Sequence, residues 1–229
     1  MKTLLAGIAL AAVVLVGGAS AATTASGTDT STVTVSGTGS VDAVPDQASF
    51  SFTVQTKAAT AAAALARNGA DTSAVIAAVK GAGVAAANIQ TSQVSLDPVM
   101  SGDGTSIVAF TASDTITASS LAVAKAGAVV DAAVGAGATN VYGPSLTLSS
   151  QDALYAKALK AAVAQAKTKA QALADAAGQT LGAVVSIVEG GGSTPIPFAK
   201  AAPSDASGTP IEPGTQEVDA TVTVTFALG

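Results

Sequence analysis

Two stretches of this chain echo each other, and that likeness restricts the fold more than any other feature. "AVIAAVKGAGVAAANIQTSQVSL" and "AVVDAAVGAGATNVYGPSLTL" both pass from a helical pattern through Gly-Ala-Gly and a short connection to an asparagine and an apolar strand. Gly81 and Gly83 match Gly135 and Gly137, Asn88 matches Asn140, and Val94 and Leu96 match Leu146 and Leu148. A strand pattern precedes each helix. "QASFSFTVQTK" sets Ala48, Phe50, Phe52 and Val54 on one face, and "IVAFTASDTITA" alternates through Val108, Phe110, Ala112 and Ile116. The chain therefore reads as two tandem strand-helix-strand units, with chance likeness in an alanine-rich sequence as the rival account. Two units are too few for a solenoid. The expected class is α+β: one mixed or antiparallel sheet with helices packed on one face, the other face solvated or covered by a partner.

The rest of the chain extends this plan. In "TAAAALARNGADTSAVIAAVKGAG", Leu65, Asn68, Thr72, Val75, Ile76 and Val79 share one side of a helix, with a break possible at Gly69 and a left-handed stop at Gly81 or Gly83. Ser119 or Ser120 is the expected cap of the second helix, and Ser149 with Asp152 resembles a capping box before the third. That third helix, "DALYAKALKAAVAQAKTKAQALADAAG", is the longest, with a predicted stripe of Tyr155, Leu159, Ala162, Ala166, Ala170, Leu173 and Ala177 and a stop at Gly178. Its alanines permit close approach to a sheet. Residues 190–216, rich in Gly, Ser and Pro, read as a long irregular excursion. "QEVDATVTVTFAL" closes the chain as a strand with Val218, Ala220, Val222, Val224, Phe226 and Leu228 on one face.

Composition narrows the chemistry. The chain has no cysteine and no histidine, which removes disulfides, thiolate and imidazole metal sites, and Ser-His-Asp or Cys-His catalysis. Its ten Lys and Arg are scattered and the formal charge is -5, so no cationic cluster offers itself to nucleic acid or an anionic membrane. At 49% hydrophobic but only 3% aromatic, the core must be built from small side chains packed closely.

The first residues read as targeting rather than fold. Lys2, an apolar run from Leu4 to Val16 and Ala19-Ser20-Ala21 fit a signal peptide over residues 1–21. Residues 22–31 form a polar lead that is expected to be disordered, and residues 32–229 a single domain. Secreted, periplasmic or envelope-associated placement is expected, with no stable transmembrane segment after cleavage.

Four passages in order carry a family resemblance. "VSGTGSVDAVPDQASFSFTV" resembles the opening of SIMPL domains, and "GAGVAAANIQTSQVSLDP" their passage from helix to strand. "YAKALKAAVAQAKTKAQALADAAGQTLGAVVSIVEG" is similar to their long Ala/Lys helix and following strand, and "IEPGTQEVDATVTVTFAL" to their closing turn and strand. The likeness spans about residues 31–228, departing at Phe110-Thr111, where these domains often carry Gly-Tyr. The resemblance implies an α+β domain exported or envelope-associated in bacteria, a tendency to assemble, and for some members a link to oxidative-stress defence. It supplies no catalytic residues.

Candidate sites are few. A phosphate cradle needs a helix directly after its glycines, whereas a strand follows Gly37-Thr38-Gly39 across Asp42 and Pro45, so these glycines read as a turn linking strands. Asp42 and Asp46 are the nearest acidic pair, better suited to capping turns than to hydrolysis. "SGDGTS" has too few oxygen ligands for calcium. The helix lysines read as a solvated face and Tyr155 as core. No catalytic, cofactor-binding or metal residue is assigned, and no cofactor is expected. The candidate contact region lies in "TPIPFAK", at Pro195, Pro197 and Phe198, and the expected role is binding or assembly, with a homo-oligomer or an unidentified protein or envelope component as partner. The alternatives are a histidine-free hydrolase using Asp or Ser, and a structural envelope oligomer.

The exported protein is expected to lack Met1 to Ala21, and loss of Lys2 with that segment makes its net charge one unit more negative. Intact-mass measurement on envelope and supernatant fractions checks this; a mature form that retains Met1 contradicts it.

Overall fold

Val33, Val35, Gly37, Gly39 and Val41 alternate along one unbroken strand, β1 (Thr32–Ala43), rather than stopping at a glycine turn. Pro45, which lacks an N–H, lies in the three-residue link before β2 (Gln47–Ala58). The order continues α1 (Ala61–Gly81), β3 (Ile89–Met100), β4 (Ile107–Ala122), α2 (Ala126–Gly135), β5 (Asn140–Thr147), α3 (Gln151–Ala176), β6 (Leu181–Gly190), β7 (Ile196–Phe198) and β8 (Thr215–Leu228). The computed structural model describes residues 31–191, 196–198 and 209–229, with residues 196–198 described by backbone alone. The leader, nearly all of the polar lead and Pro195 lie outside the described residues.

The α+β class holds, with all described pairing antiparallel, but the strands divide into two sheets where the sequence predicted one. The tandem units make the first, in the order β3-β4-β2-β5. β4 lies between β2 and β3, and β2 lies between β4 and β5, which is the split β-α-β arrangement of ferredoxin-like folds. The repeat is visible in its backbone, since Gly83 and Gly137 follow their helices at φ 104° and 111°. Phe50, Phe52, Val54 and Ile116 face Val75 and Val79 of α1 and Val129 and Ala133 of α2. Each large side chain so buried contributes roughly 1.5–3 kcal/mol.

Helix α1 runs unbroken through Gly69, opened by the Thr60 hydroxyl, which accepts from the Ala63 N–H at 3.2 Å. Leu65 is exposed and Ala64, Asn68, Thr72, Val75 and Val79 form the buried stripe. Asn68 Nδ2 donates to the carbonyls of Val54 at 2.8 Å and Ala112 at 3.3 Å, fixing the helix to β2 and β4. The expected serine caps are replaced. Ser119 and Ser120 belong to β4, and α2 starts after a short 3-10 turn without a side-chain cap. Ser150, not Ser149, precedes α3 and makes no capping bond, and the Ser149 hydroxyl is bound to Asp46 instead.

The second sheet is β1-β8-β6, with β7 also pairing β8. β1 and β8 pair residue for residue from Thr32–Ala227 to Ala43–Gln216. α3 covers this sheet with Ala158, Ala162, Ala166, Ala170 and Ala174, all 0% exposed, while Leu173 from the predicted stripe is 51% exposed. The close seat needs Gly37 and Gly39. A Cβ on Gly37 would stand 2.1 Å from the Ala162 carbonyl oxygen, and one on Gly39 2.3 Å from that of Ala158. The predicted excursion at 190–216 contains β7 and the start of β8.

Gly37→Ala is expected to cost about 2–4 kcal/mol, since backbone on both sides must move. Gly69→Ala, with nothing within 4 Å of the added carbon, is expected to stabilise by up to about 1 kcal/mol. Urea melts of the two variants check the pair, and equal midpoints contradict this seat for α3.

Candidate functional site

The carboxylates of this chain are the groups most able to do chemistry, so their partners decide what they can do. Asp46, in the link before β2, accepts the Ser149 N–H at 2.8 Å and the Ser149 hydroxyl. These bonds hold its carboxyl below the usual range. They also clip the entry of the inserted unit to its exit and draw Asp46 away from any pairing with Asp42. Asp103 is enclosed in its own turn. Ser101 Oγ donates to it, and Thr105 donates from its hydroxyl at 2.8 Å and its N–H at 3.2 Å. Led by the Ser101 bond, these lower its pKa to about 2, so "SGDGTS" is a self-bonded hairpin turn.

Asp42 lies at the far end of β1, opposite Glu217, with Asp219 opposite Ser40. Burial, then the charge of Glu217, hydrogen bonding to Glu217 and the charge of Asp42 raise the pKa of Asp219. Sequence spacing alone paired Asp42 with Asp46; the strand register pairs it with residues far along the chain. Among the described residues, no three or more acidic groups are placed to hold a metal ion. At the interface of α1 with its sheet, Thr72 Oγ1 donates to Asp114 Oδ2 at 3.3 Å. Asn68 Oδ1 and Asp114 Oδ1 are buried there without a partner among the described residues.

The lysines of α3 are exposed as predicted, and one of them also ties the helix to β1, since Lys169 Nζ donates to the Ser36 carbonyl at 3.0 Å. Tyr155 is half-buried rather than core, and its hydroxyl donates to Glu189 Oε1 at 2.6 Å, a bond that raises the phenol pKa. Tyr142 on β5 is 63% exposed. Pro197 and Phe198 lie in β7, opposite Gln216 and Thr215 of β8. Beside them in space runs a feature that sequence pattern did not single out: β6, whose Val184, Val185, Ile187 and Val188 are all exposed. Its apolar run reads as an ordinary core strand; what uncovers it is the reach of α3, which packs chiefly on β1 and β8.

A ferredoxin-like unit inserted into a helix-backed antiparallel sheet, with Asp46 and Asp103 bound up in the hydrogen bonds of their loops, defines a two-sheet α+β protein. The chain belongs to the SIMPL family, whose model, described as a protein of unknown function (DUF541), matches residues 33–226. It is 30% identical over 208 residues to the 26 kDa periplasmic immunogenic protein of Brucella melitensis biotype 1, covering 84% of this chain and 82% of that protein. The protein of the same name from Brucella abortus (strain S19) matches over the same length and at the same identity. Exported placement agrees with the relatives' name. No helix among the described residues is long and apolar enough to cross a membrane.

Asp46 and Asp219 should answer to pH in opposite senses. Asp46, with its lowered pKa, contributes stability that is present above the ordinary carboxylate value and is lost as pH falls through its folded value. Asp219, with its raised pKa, favours the protonated form. Its contribution is full below the ordinary value and is lost as pH rises through the raised one. Asp46→Asn should lower the Tm at neutral pH, with the gap closing in acid. Asp219→Asn should hold or raise it at neutral pH. Thermal melts across the acid range check both signs, and a lower neutral-pH Tm for Asp219→Asn refutes the crowding of these carboxylates.

Proposed function

We propose that this chain is an exported envelope protein that works by binding or assembly through its surface, not by catalysis. The observation that carries this reading is the row of exposed Val184, Val185, Ile187 and Val188 on one strand. Contiguous apolar surface of this kind is the usual mark of an interaction site. The relatives' periplasmic name supports the compartment, with residues 1–21 as the signal peptide, residues 22–31 as the lead and residues 32–229 as the working domain. Pro197 and Phe198 belong to the contact region in this reading, because β7 continues the line of β6 along β8; Pro195, outside the described residues, is included only for its place beside them in the sequence. A role in oxidative-stress defence rests on the family resemblance alone. The second reading, a histidine-free hydrolase, has one observation in its favour: the raised pKa of Asp219 beside Glu217, a pairing that acid-base chemistry can use.

Native mass spectrometry of the exported protein, joined to a hydrolase screen of wild type and Asp219→Asn, separates the two. The expected result is a mass above the monomer and no turnover. A monomer that captures no envelope component, or turnover that Asp219→Asn abolishes, overturns the proposal. Peroxide survival of a strain lacking the protein tests the stress link.

A further inference from the structure

This inference rests on the assembly reading above and names its partner and its seam. A sheet edge presents a row of unpaired N–H and C=O groups, which proteins close with charges, prolines or covering side chains. Among the described residues the two sheets have five edge strands, β3 and β5 in one and β1, β6 and the short β7 in the other; four of them carry such devices, β7 by its Pro197. On β1, Gln165 Oε1 accepts from the Thr38 N–H at 2.7 Å and Lys169 Nζ donates to the Ser36 carbonyl at 3.0 Å. β3 carries Asp97 and Pro98, and β5 carries Pro144. β6 has no proline and no lysine, and its one charged residue, Glu189, is engaged by Tyr155. Its register against β8 shifts twice before Ser186, then runs regularly from Ser186 to Gly190.

The side chains agree with the backbone. Val184 and Ile187 pair with Phe226 and Val224, so they lie on the face that carries α3, yet they are 48% and 52% exposed. Val188 pairs with Thr223 on the opposite face and is 61% exposed. β6 is thus apolar on both faces and, among the described residues, open along its edge.

We propose that β6 is the seam of a homodimer, in which it pairs antiparallel with β6 of a second copy across a two-fold axis and joins two four-stranded sheets into one. A second copy is the occupant that fits, because antiparallel pairing about a two-fold is self-complementary: the strand supplies its own partner. Charge points the same way. At a net -5 the copies repel over most of their surface, whereas the β6 run carries one carboxylate. Any two-fold not centred on Glu189 keeps the two copies of it apart. Paired in this way, Val184 and Ile187 of both copies meet between the two α3 helices.

The chain has no cysteine, so a single introduced one can form a disulfide only between copies. Val185, Ser186, Ile187 and Val188 are each replaced by Cys in the exported protein, with Val94→Cys on β3 as the comparison. Neighbouring antiparallel Cα atoms lie within disulfide reach only near the two-fold, so mild oxidation should give dimers that peak at one β6 position and fall away on either side. Val188→Lys should weaken dimerisation at least about ten-fold by sedimentation, with an unchanged circular dichroism spectrum; if that variant fails to fold, the cysteine scan decides. A wild-type monomer overturns both the seam and the assembly reading. An oligomer that cross-links at Val94, or equally along β6, or that keeps its mass with Val188→Lys, overturns the seam alone.

Discussion

Ala158, Ala162 and Ala166 of α3 lie flat against the strand that carries Gly37 and Gly39, and neither partner has more than a methyl group to hold the two backbones apart. This seat joins β1 to a helix that begins more than a hundred residues later. Everything between them must therefore leave and return at nearly the same place. The inserted unit meets that demand. Its first and last strands are neighbours, with Gln47 opposite Thr147, so the segment enters and exits side by side. A fold with adjacent ends can be inserted into a host without disturbing it. Asp46 and Ser149 close the gap with a charged hydrogen bond, and Gln216 Nε2 adds a bond to the Leu146 carbonyl at 3.2 Å.

A narrow seat also limits what the helix can cover. Alanine brings α3 close to β1 and β8 but extends little sideways, and Leu159 and Val163 are only partly buried at its flank. A helix faced with leucine or phenylalanine would stand farther off and spread over more of the sheet. The same small residues that allow the tight contact thus leave β6 outside it. The exposed valines of that strand follow from how the host sheet is packed, and the proposed seam is the other side of the alanine stripe.

Pattern was legible wherever it was local. The tandem units, the half-buried alternation of β2 and β8, the glycine stops at Gly83 (expected there or at Gly81) and Gly178, and the match of Gly137 to Gly83 all correspond to backbone features. What was illegible depended on partners far along the chain. Gly37 and Gly39 read as a turn because glycine usually punctuates, and only the backbone of α3 shows why they sit inside a strand. Hydrophobicity selects Leu173 for the helix stripe; packing selects Ala174, because close approach rewards the smallest side chain rather than the most apolar. One sheet was expected because nothing in the order of elements says that β1 waits for β8. Of the candidate site, the acidic pair Asp42 and Asp46 follows from spacing and is broken by the fold, while the β6 edge is hidden in the sequence because an apolar run looks the same buried or bare.

The fates of the polar groups bear on function. Asp46 clips two loops, Asp103 shapes its own turn, Asp114 receives Thr72 and Glu189 receives Tyr155, so each of these carboxylates already holds part of the fold in place. A catalytic acid or base must instead be poised towards a substrate, with its pKa set by that purpose. Among the described residues Asp219 is the one perturbed carboxylate pushed towards protonation, and it stands on the sheet face opposite α3 rather than in a cleft. Water on such a face screens charge and competes for each hydrogen bond, which removes the advantage that an enclosed site gives to acid-base chemistry. An apolar edge works the other way: its contacts gain strength as water leaves, and water leaves when a matching strand arrives. The polar groups named here hold the molecule's shape while the β6 valines stay exposed, and that division is what the proposed surface role rests on.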